Sequence, residues 1–140
     1  MLRDFKVYLL DVGLLGALSD ISAKTLIDGN KIFTELKGAM TEQYVCQQLT
    51  AAGVPLYYWA RERGEAEVDF IIQSGESVLP VEVKAETNLR AKSLKVYYGK
   101  YEPTVAIRSL MADYERQEWM MNIPLYAVEL LASPENFSLN

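Results

Sequence analysis

The sequence predicts an α/β domain, a mixed central sheet flanked by helices, and three observations carry that expectation. The longest helical periodicity, from Ile32 to Ala52, is followed by three strand-like segments. A second helical pattern and a further strand-like segment come next. The order helix, three strands, helix, strand calls for helices on both faces of one sheet. A chain of 140 residues suits a single domain with a modest core, and an apolar share of 50% argues against wholesale disorder.

Each element has its own signal. "FKVYLLDVGLLGALSD" reads as a short extended piece and then a helix, with Asp11 placed to cap it. "SAKTLIDGN" is weakly periodic and ends in a turn signal. In the long helix Phe33, Leu36, Met40 and Tyr44 recur at steps of three and four. Val45, Leu49 and Ala52 form an adjoining stripe. Gly53 then supplies a C-terminal stop, and Pro55 forbids continuation. "PLYYWA" predicts a strand, "RERGEA" a turn, and "EVDFIIQ" and "SVLPVEVKA" two strands joined at "SGES". "LRAKSLKVYYGKY" is helical in pattern with Gly99 near its end, and "PTVAIRSL" is a strand. "IPLYAVELLAS" starts as a strand and finishes as a short helix, while the stretch from Met111 to Asn122 matches no template well. These limits divide one domain, residues 1–140, into an N-terminal helical extension, 1–30, and a core, 31–131.

No apolar run approaches the roughly 20 residues of a membrane span, so no membrane partner is expected. Asp4 and Asp11 break the apolar N-terminus and no cleavage site follows, which reads as domain and not as a signal peptide. Cys46 stands alone in a helical pattern and is expected to be a buried packing residue, in keeping with a cytoplasmic protein. The chain has no histidine, which removes His-based catalysis and His-type zinc sites. Any metal would be a hard cation held by oxygen, Mg²⁺ or Mn²⁺. A net charge of −5 argues against a broad non-specific grip on nucleic acid. Lys and Arg do gather between Lys84 and Lys100, where Arg90, Lys92 and Lys95 either face phosphate or form a solvated helix face.

The hairpin poses the sharpest question. A two-residue turn at Gly75 and Glu76, glycine first as a type II′ turn prefers, fixes the register. Ile72 then pairs with Leu79, Phe70 with Val81 and Val68 with Val83, an apolar face. On the other face Asp69 meets Glu82 and Glu67 meets Lys84, which sets two carboxylates opposite each other with Cβ atoms roughly 5 Å apart. Such a pair can keep one proton, take a lysine, or hold a divalent cation. Lys84 lies two residues from Glu82 on the same face, and Glu42 lies on the stripe of Val45 and Leu49. The alternative is that Glu and Lys merely decorate a wet strand face, with Glu42 a helix-edge residue.

Glu42 on a helix, Asp69, and "EVK" at Glu82 to Lys84 on the two arms of a hairpin resemble the PD-(D/E)xK nuclease superfamily, with its restriction-endonuclease-like αβββαβ core. Val68 stands where the motif's proline would precede Asp69. Over nearly the whole chain, "KVYLLDVGLLGAL", "KGAMTEQYVCQQL", "YYWARERGEAEVDFII", "LPVEVKA" and "IPLYAV" are similar to the nuclease-like domain found C-terminal to archaeal-type AAA ATPases. The resemblance implies a metal-dependent DNA nuclease-like domain that hydrolyses phosphodiester bonds. Asp69 and Glu82 would hold Mg²⁺ or Mn²⁺, and Glu42 would complete or orient the site. Lys84 would position the attacking water or stabilise charge developing at phosphorus. It also implies an attached ATPase module, and this chain, without a G-x-x-x-x-G-K-[ST] loop, is expected to be a fragment of that longer protein. A homodimer able to cut two strands is a further expectation. The alternative is a catalytically silent binding or regulatory module attached to the ATPase. Tyr57, Tyr58 and Trp59 read as core and edge packing, with base stacking the alternative. Arg61 and Arg63 read as part of a solvated turn, and Asn88 as a cap of the following helix.

Overall fold

Asp11 does open the first helix. In the computed structural model, which describes residues 5–20, 22, 24, 31–86 and 90–133, its carboxylate accepts from Leu14 N–H at 2.8 Å, and α1 runs Val12–Leu18. Most of the segment "SAKTLIDGN", the side chains of Phe33 and Arg63, and Asn88 lie outside the described residues.

The long helix, α2, spans Lys31–Ala51. Its buried face is the stripe Val45 and Leu49, both fully buried, with Cys46 between them, while Tyr44 is half-buried and Ala52 exposed. The helix ends in a Schellman motif. Gly53 N–H donates to Thr50 C=O at 2.9 Å and Val54 N–H to Leu49 C=O at 2.9 Å, with Gly53 in the left-handed region at φ +77°. Val54 and Leu49 join the same core cluster, the apolar contact that accompanies this motif.

Six strands follow: β1 Tyr57–Ala60, β2 Glu67–Ser74, β3 Ser77–Lys84, β4 Ala106–Leu110, β5 Glu115–Arg116 and β6 Met120–Pro124. A second long helix, α3, Lys92–Tyr101, joins β3 to β4. The fold is therefore a mixed α/β one, with a sheet in the order β1-β2-β3-β4-β6-β5. β3, β4 and β6 run parallel, and the edge pairs are antiparallel. The β3–α3–β4 crossover is what a parallel pair requires. α3 stops at Glu102, which adopts φ +45° immediately before Pro103, and Gly99 remains inside the helix. After β6 the chain turns through 3₁₀ geometry, Leu125–Ala132. Among the described residues no helix is long and apolar enough to cross a membrane.

Each face of the sheet has its own core. Phe70, Ile72, Leu79, Val81, Ile107, Met121 and Ile123 pack with Val45 and Leu49 of α2. Val68, Ala106 and Met120 pack with Leu94 and Tyr97 of α3, and Trp59 joins that cluster edge-on to Tyr97 with ring centroids 5.3 Å apart. The packing reading thus holds for Trp59, whereas Tyr57 is 68% exposed.

Gly53→Ala tests the cap alone, since a Cβ there meets nothing within 4 Å. The left-handed backbone should cost about 1 kcal/mol in urea unfolding, with an unchanged dependence on denaturant.

Candidate functional site

The hairpin register is the predicted one near the turn and departs from it where the chemistry was expected. Gly75 has φ +61°, and Ser74–Ser77, Gln73–Val78, Ile72–Leu79, Ile71–Pro80 and Phe70–Val81 pair as the sequence implied. Regular pairing stops one step short of Asp69–Glu82. The cause is an extra residue in β2: Tyr57 pairs with Ile71, but Trp59 pairs with Val68, leaving Asp69 and Phe70 together opposite Tyr58. Such a bulge twists the strand and re-aims a side chain. Val68 accordingly packs on the α3 side and Phe70 on the α2 side. Asp69 turns with Phe70 toward α2, and its Oδ2 accepts from Val83 N–H at 2.8 Å in place of regular strand pairing. Glu82 and Lys84 alternate with Val81 and Val83, which pack toward α2, and so take the α3 side. The expected face-to-face pair of Asp69 and Glu82 is thereby corrected: the two carboxylates flank the splayed end of the hairpin.

Asp69 and Glu82 meet different cations. On the α2 side the extended segment before α1 lies along α2. It is held by Gln43, which is 2% exposed and bonds Leu9 both ways, accepting from its N–H at 2.8 Å and donating to its C=O at 2.9 Å. Gln47 accepts from Val12 N–H at 3.0 Å. This strap brings Lys6 Nζ to 2.9 Å from Glu42, 2.5 Å from Glu67 and 3.4 Å from Asp69. Tyr8 O–H donates a short hydrogen bond to the same Glu42 oxygen. On the α3 side Lys84 Nζ lies 2.9 Å from Glu82 Oε1, while Glu82 Oε2 is buried with no hydrogen-bond partner among the described residues. Glu82 is 5% exposed. A cavity of about 550 Å³ opens beside Asp69, its wall including Phe5, Lys6, Tyr8, Tyr57 and Tyr58.

Lys6, Tyr8 and Gln43 are the neighbours of these acids that sequence reasoning missed, and Glu67, expected opposite Lys84, pairs with Lys6 instead. The Arg61 side chain forms an exposed contact with Glu65, at 3.7 Å, consistent with a solvated turn. Arg90, Lys92 and Lys95 do gather around one cavity, away from Lys6. Cys46 is buried, and burial pushes its thiol up, away from reactivity.

The electrostatics follow from burial. Desolvation first, then the charge of Glu42, raises the Asp69 carboxyl from 3.8 to about 6, although the Val83 N–H and Lys6 pull it down. Burial alone would lower Lys6, but Glu67, Glu42 and Asp69 outweigh it and hold the ammonium charged. Burial and the neighbouring Glu42 keep Tyr8 protonated. Among the described residues no three acidic or sulfur side chains close on one point as a metal cage. The charge of Glu82 also reaches Asp69 across the splayed end of the hairpin and adds to the upward push on its carboxyl.

A raised carboxyl pKa means that the folded state binds a proton the unfolded state lacks. Between about pH 4 and pH 6 stability should therefore fall as pH rises, by on the order of 3 kcal/mol in total from Asp69. Asp69→Asn should remove that slope in unfolding curves collected across the window. Lys6→Met, which leaves three carboxylates short of their shared cation, should cost about 1–3 kcal/mol at pH 7. It should also move the Asp69 carboxyl further up in a ¹³C NMR titration.

A family profile described as a domain of unknown function, DUF4143, matches residues 37–128, which takes in most of α2, the whole sheet and α3. No curated protein and no solved structure matches the chain. The chain therefore belongs to the DUF4143 family, a domain associated with AAA ATPase-containing proteins.

Proposed function

We propose that this is a metal-dependent nuclease-like domain that hydrolyses phosphodiester bonds of DNA on a restriction-endonuclease-like core, as an accessory to an ATPase module. The observation that carries the reading is Glu82. It is a buried carboxylate near the end of β3, one of whose oxygens has no partner among the described residues, and a buried acceptor left empty calls for an ion or water. Hard oxygen donors fit Mg²⁺ or Mn²⁺, and Asp69 and Glu82 would hold it. Bound there, such an ion supplies charge stabilisation at a phosphodiester oxygen and a more acidic water. Lys84, paired to Glu82, presents an ammonium to the attacking water or to charge developing at phosphorus. Glu42, tied to Lys6 and Tyr8, orients the α2 side of the site and keeps Asp69 flanked by negative charge. The aromatic wall of the cavity beside Asp69 can receive a base.

Lys6 favours a second reading. Its ammonium already stands among Glu42, Glu67 and Asp69, an arrangement that also suits a catalytically silent module which holds a partner or regulates the attached ATPase.

Melting temperature against Mn²⁺ concentration separates the two, using the wild type, Asp69→Asn and Glu82→Gln. The nuclease reading expects the wild type to gain stability with metal, by about 2.7 kcal/mol at a hundred times Kd. It also expects Asp69→Asn to start more stable at pH 7 and both variants to ignore the metal. A wild type that does not respond, with Asp69→Asn neutral or harmful, makes the acids a structural network and leaves the silent module standing.

A further inference from the structure

A row of polar side chains crosses the α3 side of the sheet, where the packing around it is apolar. Glu82, Arg108 and Asn122 are register partners on β3, β4 and β6, and Glu115 on β5 pairs with Asn122. Arg108 Nε donates to Asn122 Oδ1 at 3.0 Å, and Asn122 Nδ2 donates to Glu115 Oε2 at 3.0 Å. Arg108 is 1% exposed. A buried guanidinium costs several kcal/mol of desolvation, and an apolar side chain of similar volume would stabilise the sheet at least as well. Packing alone therefore does not account for a guanidinium at this position.

The row ends in a cavity of about 340 Å³ at the start of α3. Arg90, Lys92, Lys95 and Arg108 line it against one carboxylate, Glu115, which already accepts from Asn122. In a chain of net charge −5, four cations around one cavity form a local reversal of sign. The guanidinium of Arg108, held at Nε by Asn122, lies in the cavity wall, and the exposed Lys92 and Lys95 add point charge at its rim.

We propose that this cavity is a phosphate subsite for a DNA strand, holding a phosphate that flanks the one presented to Lys84 and Glu82. The proposal rests on the nucleic-acid part of the reading above and adds where the strand runs. β4 lies about 4.8 Å from β3, and β6 about twice that. At the rise of about 3.4 Å per nucleotide, a strand crossing from Glu82 to the cavity advances roughly one to three nucleotides. Asp69 is on the far side of the hairpin end and is not part of the subsite.

The test is fluorescence anisotropy of a short labelled DNA oligonucleotide with the full chain in EDTA, at several salt concentrations. The proteins compared are the wild type, the double variant Lys92→Gln/Lys95→Gln, Arg108→Met and Lys100→Gln. Lys92 and Lys95 are exposed, so the double variant should keep the wild-type melting temperature. The proposal expects the double variant to bind roughly tenfold more weakly, with the slope of log K against log[salt] reduced by about 0.7–0.9. Arg108→Met should weaken binding as well, and Lys100→Gln, on the helix but outside the cavity, should bind as the wild type does. Wild-type affinity and slope in the double variant would overturn the subsite. So would a wild type that ignores the oligonucleotide but is stabilised by inorganic phosphate through Lys92 and Lys95, which would make the cavity a small-phosphate site. Because EDTA removes the metal, the two readings fail separately. Lost Mn²⁺ response with intact cavity-dependent binding sinks hydrolysis alone, and the converse sinks the subsite alone.

Discussion

Because β2 carries one residue more than β1 between its two points of pairing, Asp69 leaves the face that strict alternation assigns to it. That displacement determines most of what surrounds the hairpin's open end. With Asp69 on the α2 side, Val83 N–H bonds to a carboxylate instead of to regular strand pairing, so the arms separate there. Separation leaves Glu82 and Lys84 to pair with each other and makes room for Lys6 to enter from the strap. A regular hairpin would have set two carboxylates in direct opposition; with the bulge they meet different ammonium groups, Lys6 and Lys84. Both faces of the sheet keep their apolar packing, since the shift moves Val68 into the α3 cluster while Phe70 stays in the other.

The strap matters for a related reason. Gathering three acids near one point, two of them part-buried, is costly unless positive charge comes with them. Lys6 supplies it from outside the segment that the family profile spans, residues 37–128. Gln43 makes the delivery precise, because a buried amide that bonds both the N–H and the C=O of Leu9 fixes the strap's height along α2. Lys6 and Tyr8 then meet the same oxygen of Glu42. Arg108 on the other face follows the same logic: a buried charge tolerated because Asn122 and Glu115 relay it toward solvent.

Much of the framework was legible because it depends on local chemistry. The spacing of Val45 and Leu49, the glycine after α2 and the glycine at the hairpin turn each constrain only a few neighbouring residues, and each appears where the pattern puts it. The element order from α2 to β4 was legible for the same reason. The bulge was not, since it falls on Asp69 and Phe70, without the glycine or proline that would signal it. Lys6 is 63 residues from Asp69 in sequence, and nothing local marks it as that residue's partner. Arg108 sits inside a strand whose other residues are apolar or small, where a single charge reads as an edge position until the neighbours on β3 and β6 are known. β5 is only two residues long, shorter than any periodicity can register.

Charge around the hairpin's end is uneven even after these pairings. Glu82 and Lys84 balance, but Glu42, Glu67 and Asp69 share one ammonium, so three negative charges face one positive where water is partly excluded. A Coulomb interaction that is about 1 kcal/mol at 4 Å in water is about fourfold larger at an effective dielectric of 20. Such a surplus can be relieved by a proton or by a further cation. The raised Asp69 carboxyl is the first form of relief, available near pH 6. At neutral pH it is largely lost, and the demand for positive charge then grows beside Glu82, whose buried oxygen has no partner. The side of the domain that lacks positive charge thus adjoins, across one β-strand pair, a cavity on the other face where positive charge gathers. The proposed phosphate with its accompanying cation would satisfy both.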